Sequence, residues 1–117
     1  MEQREFVFDF TNVNFDKRDE NNRFFLQGAQ NYFNELLVAK GYVFLNDILR
    51  HLGIRETMAG QLVGWTPGRN DVKFEKPVIS GNIRIEITQT MYKGTDVREY
   101  FLRLNHEGLI LFNVLGD

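Results

Sequence analysis

The chain has 117 residues, 14 basic against 16 acidic side chains, a formal charge of −2, 43% hydrophobic and 14% aromatic residues, and no cysteine. That length fits one domain, residues 1–117, and the composition is too apolar and aromatic for a disordered segment. Lack of cysteine excludes a disulfide framework, a thiolate zinc site and a cysteine nucleophile, while scattered Lys and Arg offer no basic stripe for phosphate binding, so nucleic acid is a disfavoured partner.

REFVFDF alternates Phe6, Phe8 and Phe10 against Glu5, Val7 and Asp9, which predicts a half-buried strand. TNVNFDKRDENN is turn chemistry, with Asp19, Asn21 or Asn22 as candidate helix caps. Over residues 23–40 the period becomes helical. Phe25, Ala29, Tyr32, Phe33, Leu36 and Leu37 form an apolar face, and Gln27, Gln30, Asn31, Asn34 and Glu35 fill the other. Lys40 then Gly41 ends this helix with a cation at the negative end of the dipole and a residue suited to the left-handed cap.

Leu45, Ile48, Leu49 and Leu52 make LNDILRHL a two-turn helix with one apolar face, stopped by Gly53. Too short to stand alone, it has to lie on the sheet or on the first helix. GQLVGW, the turn TPGRND and VKFE then predict a hairpin. Ile83, Ile85 and Ile87 alternate with polar residues in the next strand, REYFLRL places Tyr100, Leu102 and Leu104 on one face of another, and LILFNV reads as a closing strand. The order predicts an α+β fold: two early helices packed on an antiparallel, mostly C-terminal β-sheet arranged as a meander, with an N-terminal strand. MEQREFVFDF carries acids where a secretion signal needs bases, and no run reaches the length of a membrane span, so a cytoplasmic protein is expected.

The two histidines, His51 and His106, lack metal-ligand spacing and are expected as lone surface residues. Asp71-Val72-Lys73 has the acid-spacer-lysine order of many metal-dependent nucleases, with Glu56 as the upstream acid. Period two, however, puts Asp71 and Lys73 on the solvent face, where an ordinary hairpin carries its charges. Trp65, with Phe74 across the hairpin, either closes one end of the core or anchors a partner. Six phenylalanines (Phe6, Phe8, Phe10, Phe15, Phe24 and Phe25) crowd the N-terminal segment, more than one small core comfortably holds.

Tyr42, Val43, Leu45, Asn46, Asp47, Leu52 and Gly53, followed by Gly60, Val63, Gly64 and Trp65, form the pattern Y-V-x-L-N-acid, L-G, G-x-x-V-G-W, and Phe112, Asn113 and Val114 a late F-N-V. This resembles a widespread group of small uncharacterised proteins carried by phages, plasmids and integrative elements of Gram-positive bacteria. Phe44 stands where that group often has a small hydroxyl residue. The resemblance implies a mobile-element context and brings no catalytic residue.

The expectation is a non-catalytic protein-binding module of a mobile element that regulates or inhibits a host factor, without a cofactor or metal. Asn46, Asp47, Trp65 and Phe74 are its expected contacts with another protein. The alternatives are a small metal-dependent nuclease using Glu56, Asp71 and Lys73, or a self-associating assembly component of a phage or conjugative particle, working as a homo-oligomer.

Overall fold

A computed structural model describes residues 4–66, 83–91, 94–95, 97–106 and 108–110. The elements run β1 (Glu5–Phe8), α1 (Asp19–Lys40), β2 (Val43–Phe44), α2 (Leu45–Leu52), a 3₁₀ turn (Ala59–Gln61), β3 (Val63–Trp65), β4 (Ile85–Met91), β5 (Arg98–Leu104) and β6 (Gly108–Leu109). The fold is α+β, with two helices between an N-terminal strand and mostly C-terminal antiparallel strands.

These strands form two three-stranded antiparallel sheets, ordered β1-β5-β4 and β2-β3-β6. β4 and β5 pair antiparallel, Ile85 opposite Leu104 and Ile87 opposite Leu102, so their apolar faces coincide. β5 takes the N-terminal strand on its other side, Phe6 opposite Leu102 and Phe8 opposite Tyr100. β6 lies beside β3 instead of extending the hairpin, so Gly108–Leu109 serves the second sheet, and residues 111–114 of the expected closing strand lie outside the described residues. The VKFE half of the predicted hairpin lies outside the described residues, and β3 pairs with β2, Val43 opposite Trp65 and Phe44 opposite Gly64.

One hydrophobic core serves both sheets and both helices. Phe6, Phe8, Tyr100, Leu102 and Leu104 reach it from the first sheet, Val43, Val63 and Trp65 from the second, and Leu45, Ile48, Leu49 and Leu52 from α2. Each α2 apolar side chain is at most 1% exposed, a burial that favours folding by about 2 kcal/mol per residue and holds an otherwise marginal helix. Asp47 secures its start: the carboxylate accepts the Phe44 N–H at 3.0 Å, while Phe44, at the cap position, has no polar side chain to contribute.

α1 starts four residues earlier than its apolar period indicates. The candidate caps Asp19, Asn21 and Asn22 all lie inside the helix, and Arg18 takes the cap position. Asp19 and Glu20 place negative charge in the first turn, where the dipole favours it. Asn22, Leu26, Ala29, Phe33 and Leu37 are the buried stripe, so its centre passes through Leu26; Tyr32 is left half-exposed, and Phe25 and Leu36 pack at the margin. Both helices end as expected. Gly41 (φ 93°) donates to the Leu37 carbonyl at 2.9 Å. Gly53 (φ 80°) and Ile54 donate to the Arg50 and Leu49 carbonyls at 3.2 and 2.9 Å, a Schellman motif.

Candidate functional site

Carboxamide side chains do much of the tertiary fastening. Asn22 Oδ1 accepts the Asp16 N–H at 2.8 Å while its Nδ2 donates to the Asp16 carbonyl at 2.7 Å. Asn34 does the same to Ile83, at 2.8 and 2.9 Å, and Asn46 to Thr57, at 3.0 and 2.9 Å. Each clasp satisfies both polar groups of a peptide outside regular structure and ties it to a helix. Gln30 adds a fourth tie by accepting the Ile85 N–H at 2.8 Å. Gln30 and Asn34, which periodicity puts on the solvent face of α1, thus fasten the start of β4.

Of the expected contact residues, Asn46 is 8% exposed and its amide is committed to Thr57. Asp47 caps α2 and lies 3.6 Å from Arg50. Trp65 is fully buried, with its indole Nε1 donating to Asn105 Oδ1 at 3.1 Å. The same Asn105 oxygen accepts the Arg84 N–H at 2.8 Å, linking β3 to the approach to β4. Glu56 is exposed and paired with Arg50 at 2.9 Å. Asp71, Lys73 and Phe74 lie outside the described residues. Among the described residues, no three acid, histidine or cysteine side chains gather as metal ligands would.

The glycines of the G-x-x-V-G-W pattern answer to packing. A β-carbon on Gly60 would lie 2.1 Å from Asn46 Oδ1, and one on Gly64 would lie 2.0 Å from the Val43 carbonyl oxygen. Tyr42 to Trp65 is therefore a single packed unit in which the asparagine, both glycines and the tryptophan fit one another.

Of the two histidines expected on the surface, His51 is there and His106 is not. His51 is exposed, but its ring stacks between Phe25 (centroids 6.0 Å apart, planes at 5°) and Tyr32 (5.6 Å, 16°). His106 is 1% exposed and meets Trp65 edge-on at 5.8 Å, because the chain after β5 turns inward over the tryptophan.

The phenylalanine excess has a definite outcome. Phe6 and Phe8 are core, Phe15 and Phe25 pack against it, and Phe10 and Phe24 are 51% and 80% exposed. Phe10 leaves the strand because Asp9 folds back: its carboxylate accepts from the Thr11 N–H at 3.0 Å and the Thr11 hydroxyl at 2.6 Å. This turn leaves Phe10 on an open cleft of about 400 Å³ lined by Phe10, Phe15, Lys17, Val97 and Arg98. Phe15 is fixed there by its contacts with Phe8 (5.9 Å) and Tyr100 (6.3 Å).

Neighbouring acids are already engaged. Asp16 accepts the Arg18 N–H at 2.8 Å, a bond that holds its carboxyl below the usual range. Asp19 accepts the Tyr100 hydroxyl at 2.5 Å, which lowers its pKa, and Arg23 Nε at 3.1 Å. A second hollow, on the outer face of the first sheet, is bordered by Glu5, Glu86, Thr88, Phe101, Leu102 and Arg103, and there the Arg103–Glu5 pair at 3.0 Å balances charge internally.

The fold and its fastenings define a small α+β protein with one apolar, cation-rimmed cleft described on its surface. Residues 1–105 match a family of unknown function, DUF6353, and the chain belongs to that family. No curated protein and no solved structure matches it. Among the described residues no helix is long and apolar enough to cross a membrane.

Proposed function

We propose that this chain is a non-catalytic protein-binding module carried by a mobile element of Gram-positive bacteria, and that it acts by docking on a cytoplasmic host factor. The observation that carries this reading is the cleft at Phe10, Phe15, Lys17, Val97 and Arg98, where half-exposed apolar groups and two cations share one concave surface. Exposed apolar groups beside polar ones are the usual makings of an interface. Asn46, Asp47 and Trp65 are engaged in packing and hydrogen bonds; their part in the module is to hold the scaffold. The mobile-element context is supported by the pattern at Tyr42–Trp65.

The test is an affinity capture from host lysate with wild type, Phe10→Asp and, as control, Val38→Asp, which changes a residue 80% exposed on the far end of α1. One protein retained by wild type and by Val38→Asp but lost by folded Phe10→Asp is the expected result. If only the chain itself is captured, or Phe10→Asp retains the same partner, the reading fails.

A further inference from the structure

We propose that the occupant of the Phe10–Arg98 cleft is an acidic peptide segment of the partner, with a large apolar side chain entering between carboxylates. This rests on the binding-module reading and adds the chemistry of the partner. The floor is apolar and fixed: Phe15 packs on Phe8 and Tyr100, while Phe10 and Val97 are 51% and 38% exposed. Burying the two exposed groups against an apolar side chain supplies the non-directional part of the affinity.

The charged part comes from Lys17 and Arg98. Among the described residues neither makes an ion pair within 4.0 Å, although Asp16 and Asp19 lie close enough for their charges to be felt. Those two carboxylates are taken by the Arg18 N–H, the Tyr100 hydroxyl and Arg23. The cleft therefore offers two cationic side chains not held in an ion pair among the described residues, on a chain whose formal charge is −2. An incoming carboxylate can pair directly with Lys17 and Arg98, as no acid among the described residues does, and a cationic or neutral segment cannot. Two cations are too few to follow a phosphate backbone, whose binders neutralise many phosphates at once. A segment with apolar residues flanked by acids matches both features of the surface.

The probe is a blocked hexapeptide, Asp-Glu-Leu-Phe-Asp-Glu, titrated into the isotope-labelled full chain with amide chemical shifts as the readout. Its amide counterpart, Asn-Gln-Leu-Phe-Asn-Gln, and acetate at matched carboxylate concentration are run beside it. The expected result is shifts concentrated at Phe10, Phe15, Lys17, Val97 and Arg98, with the amide peptide weaker by about fivefold or more, since each exposed ion pair contributes a few-fold. Lys17→Glu, in an exposed turn, and Arg98→Gln, the milder change in β5, should each weaken the acidic peptide, and raised salt should do the same.

Equal binding of the two peptides overturns the proposal, as does an absence of shifts at the cleft. Equal response to acetate makes this a small-anion site and overturns it as well. Concentration-dependent self-association that is lost on Phe10→Asp would make the occupant a second copy of this chain, with the same consequence. If Phe10→Asp loses the captured partner while Lys17→Glu and Arg98→Gln keep it, the binding module stands and only the acidic occupant falls.

Discussion

Tyr100 is buried in β5, and its hydroxyl joins two helical residues: it donates to Asp19 and accepts from Asn22 Nδ2 at 3.2 Å. Burial first, and then the bond to Asp19, push its pKa above the ordinary phenol value, while the same bond holds Asp19 below the usual carboxylate range. The two shifts act at opposite ends of the pH scale. Asp19, depressed in the folded state, contributes stability that is present above its unfolded pKa and lost as pH falls through the folded one. Tyr100, raised, contributes stability that is full below about 10 and lost as pH rises further. Tyr100→Phe should therefore destabilise by about 1.5–3 kcal/mol at neutral pH, the usual loss for a hydrogen bond to a charged group. It should also flatten both the acid and the alkaline decline. Urea unfolding of the two proteins across pH checks this, and parallel curves at every pH would refute it.

Elements in this fold are secured at their ends and margins. β2 and β3 approach so closely that Gly64 leaves no room for a side chain: an added β-carbon would lie 2.0 Å from the Val43 carbonyl oxygen and 2.8 Å from Phe44 Cα, both backbone atoms of a paired strand. Gly64→Ala should cost about 3 kcal/mol, the upper part of the range for overpacking. Gly28, exposed in α1, has no heavy atom within 4 Å of such a carbon, and Gly28→Ala should stabilise by about 0.5–1 kcal/mol through helix propensity alone. Thermal or urea midpoints moving in opposite directions would bear out the pair. Elements of this kind were legible wherever periodicity met a cap, as at Leu45–Leu52 with Gly53 and at Lys40-Gly41. The start of α1 was hidden because Asn22 looks like a cap and is instead a buried clasp on Asp16. The place of Gly108–Leu109 beside β3 was also hidden, since apolar pattern says that a strand is covered and is silent on which sheet takes it. The cleft had a partial signal, six crowded phenylalanines, but which of them stays outside depends on the Asp9 turn and on β5, eighty and more residues further on.

At the scale of the whole molecule the two sheets share one core and are linked through Asn105, which receives both the Trp65 indole and the Arg84 N–H. The three asparagine clasps cross between elements in the same manner: Asn22 closes the turn before α1, Asn34 holds α1 to the start of β4, and Asn46 holds α2 to Thr57. These ties are carboxamides and peptides, groups without net charge, and the ion pairs among the described residues lie at the surface, where each is worth little. Screening by dissolved ions has little to act on inside such a molecule. Going from 50 mM to 500 mM sodium chloride should shift the melting temperature by less than about 4 °C, as expected when stability changes by under ~1 kcal/mol. A larger drop in calorimetry would mean that charge pairs hold the fold together. The recognition proposed at Lys17 and Arg98 would weaken over the same range. On the proposed reading, the neutrality of the clasps decouples persistence from attachment: a change of ionic conditions would release a bound acidic segment and leave the chain folded and ready to bind again.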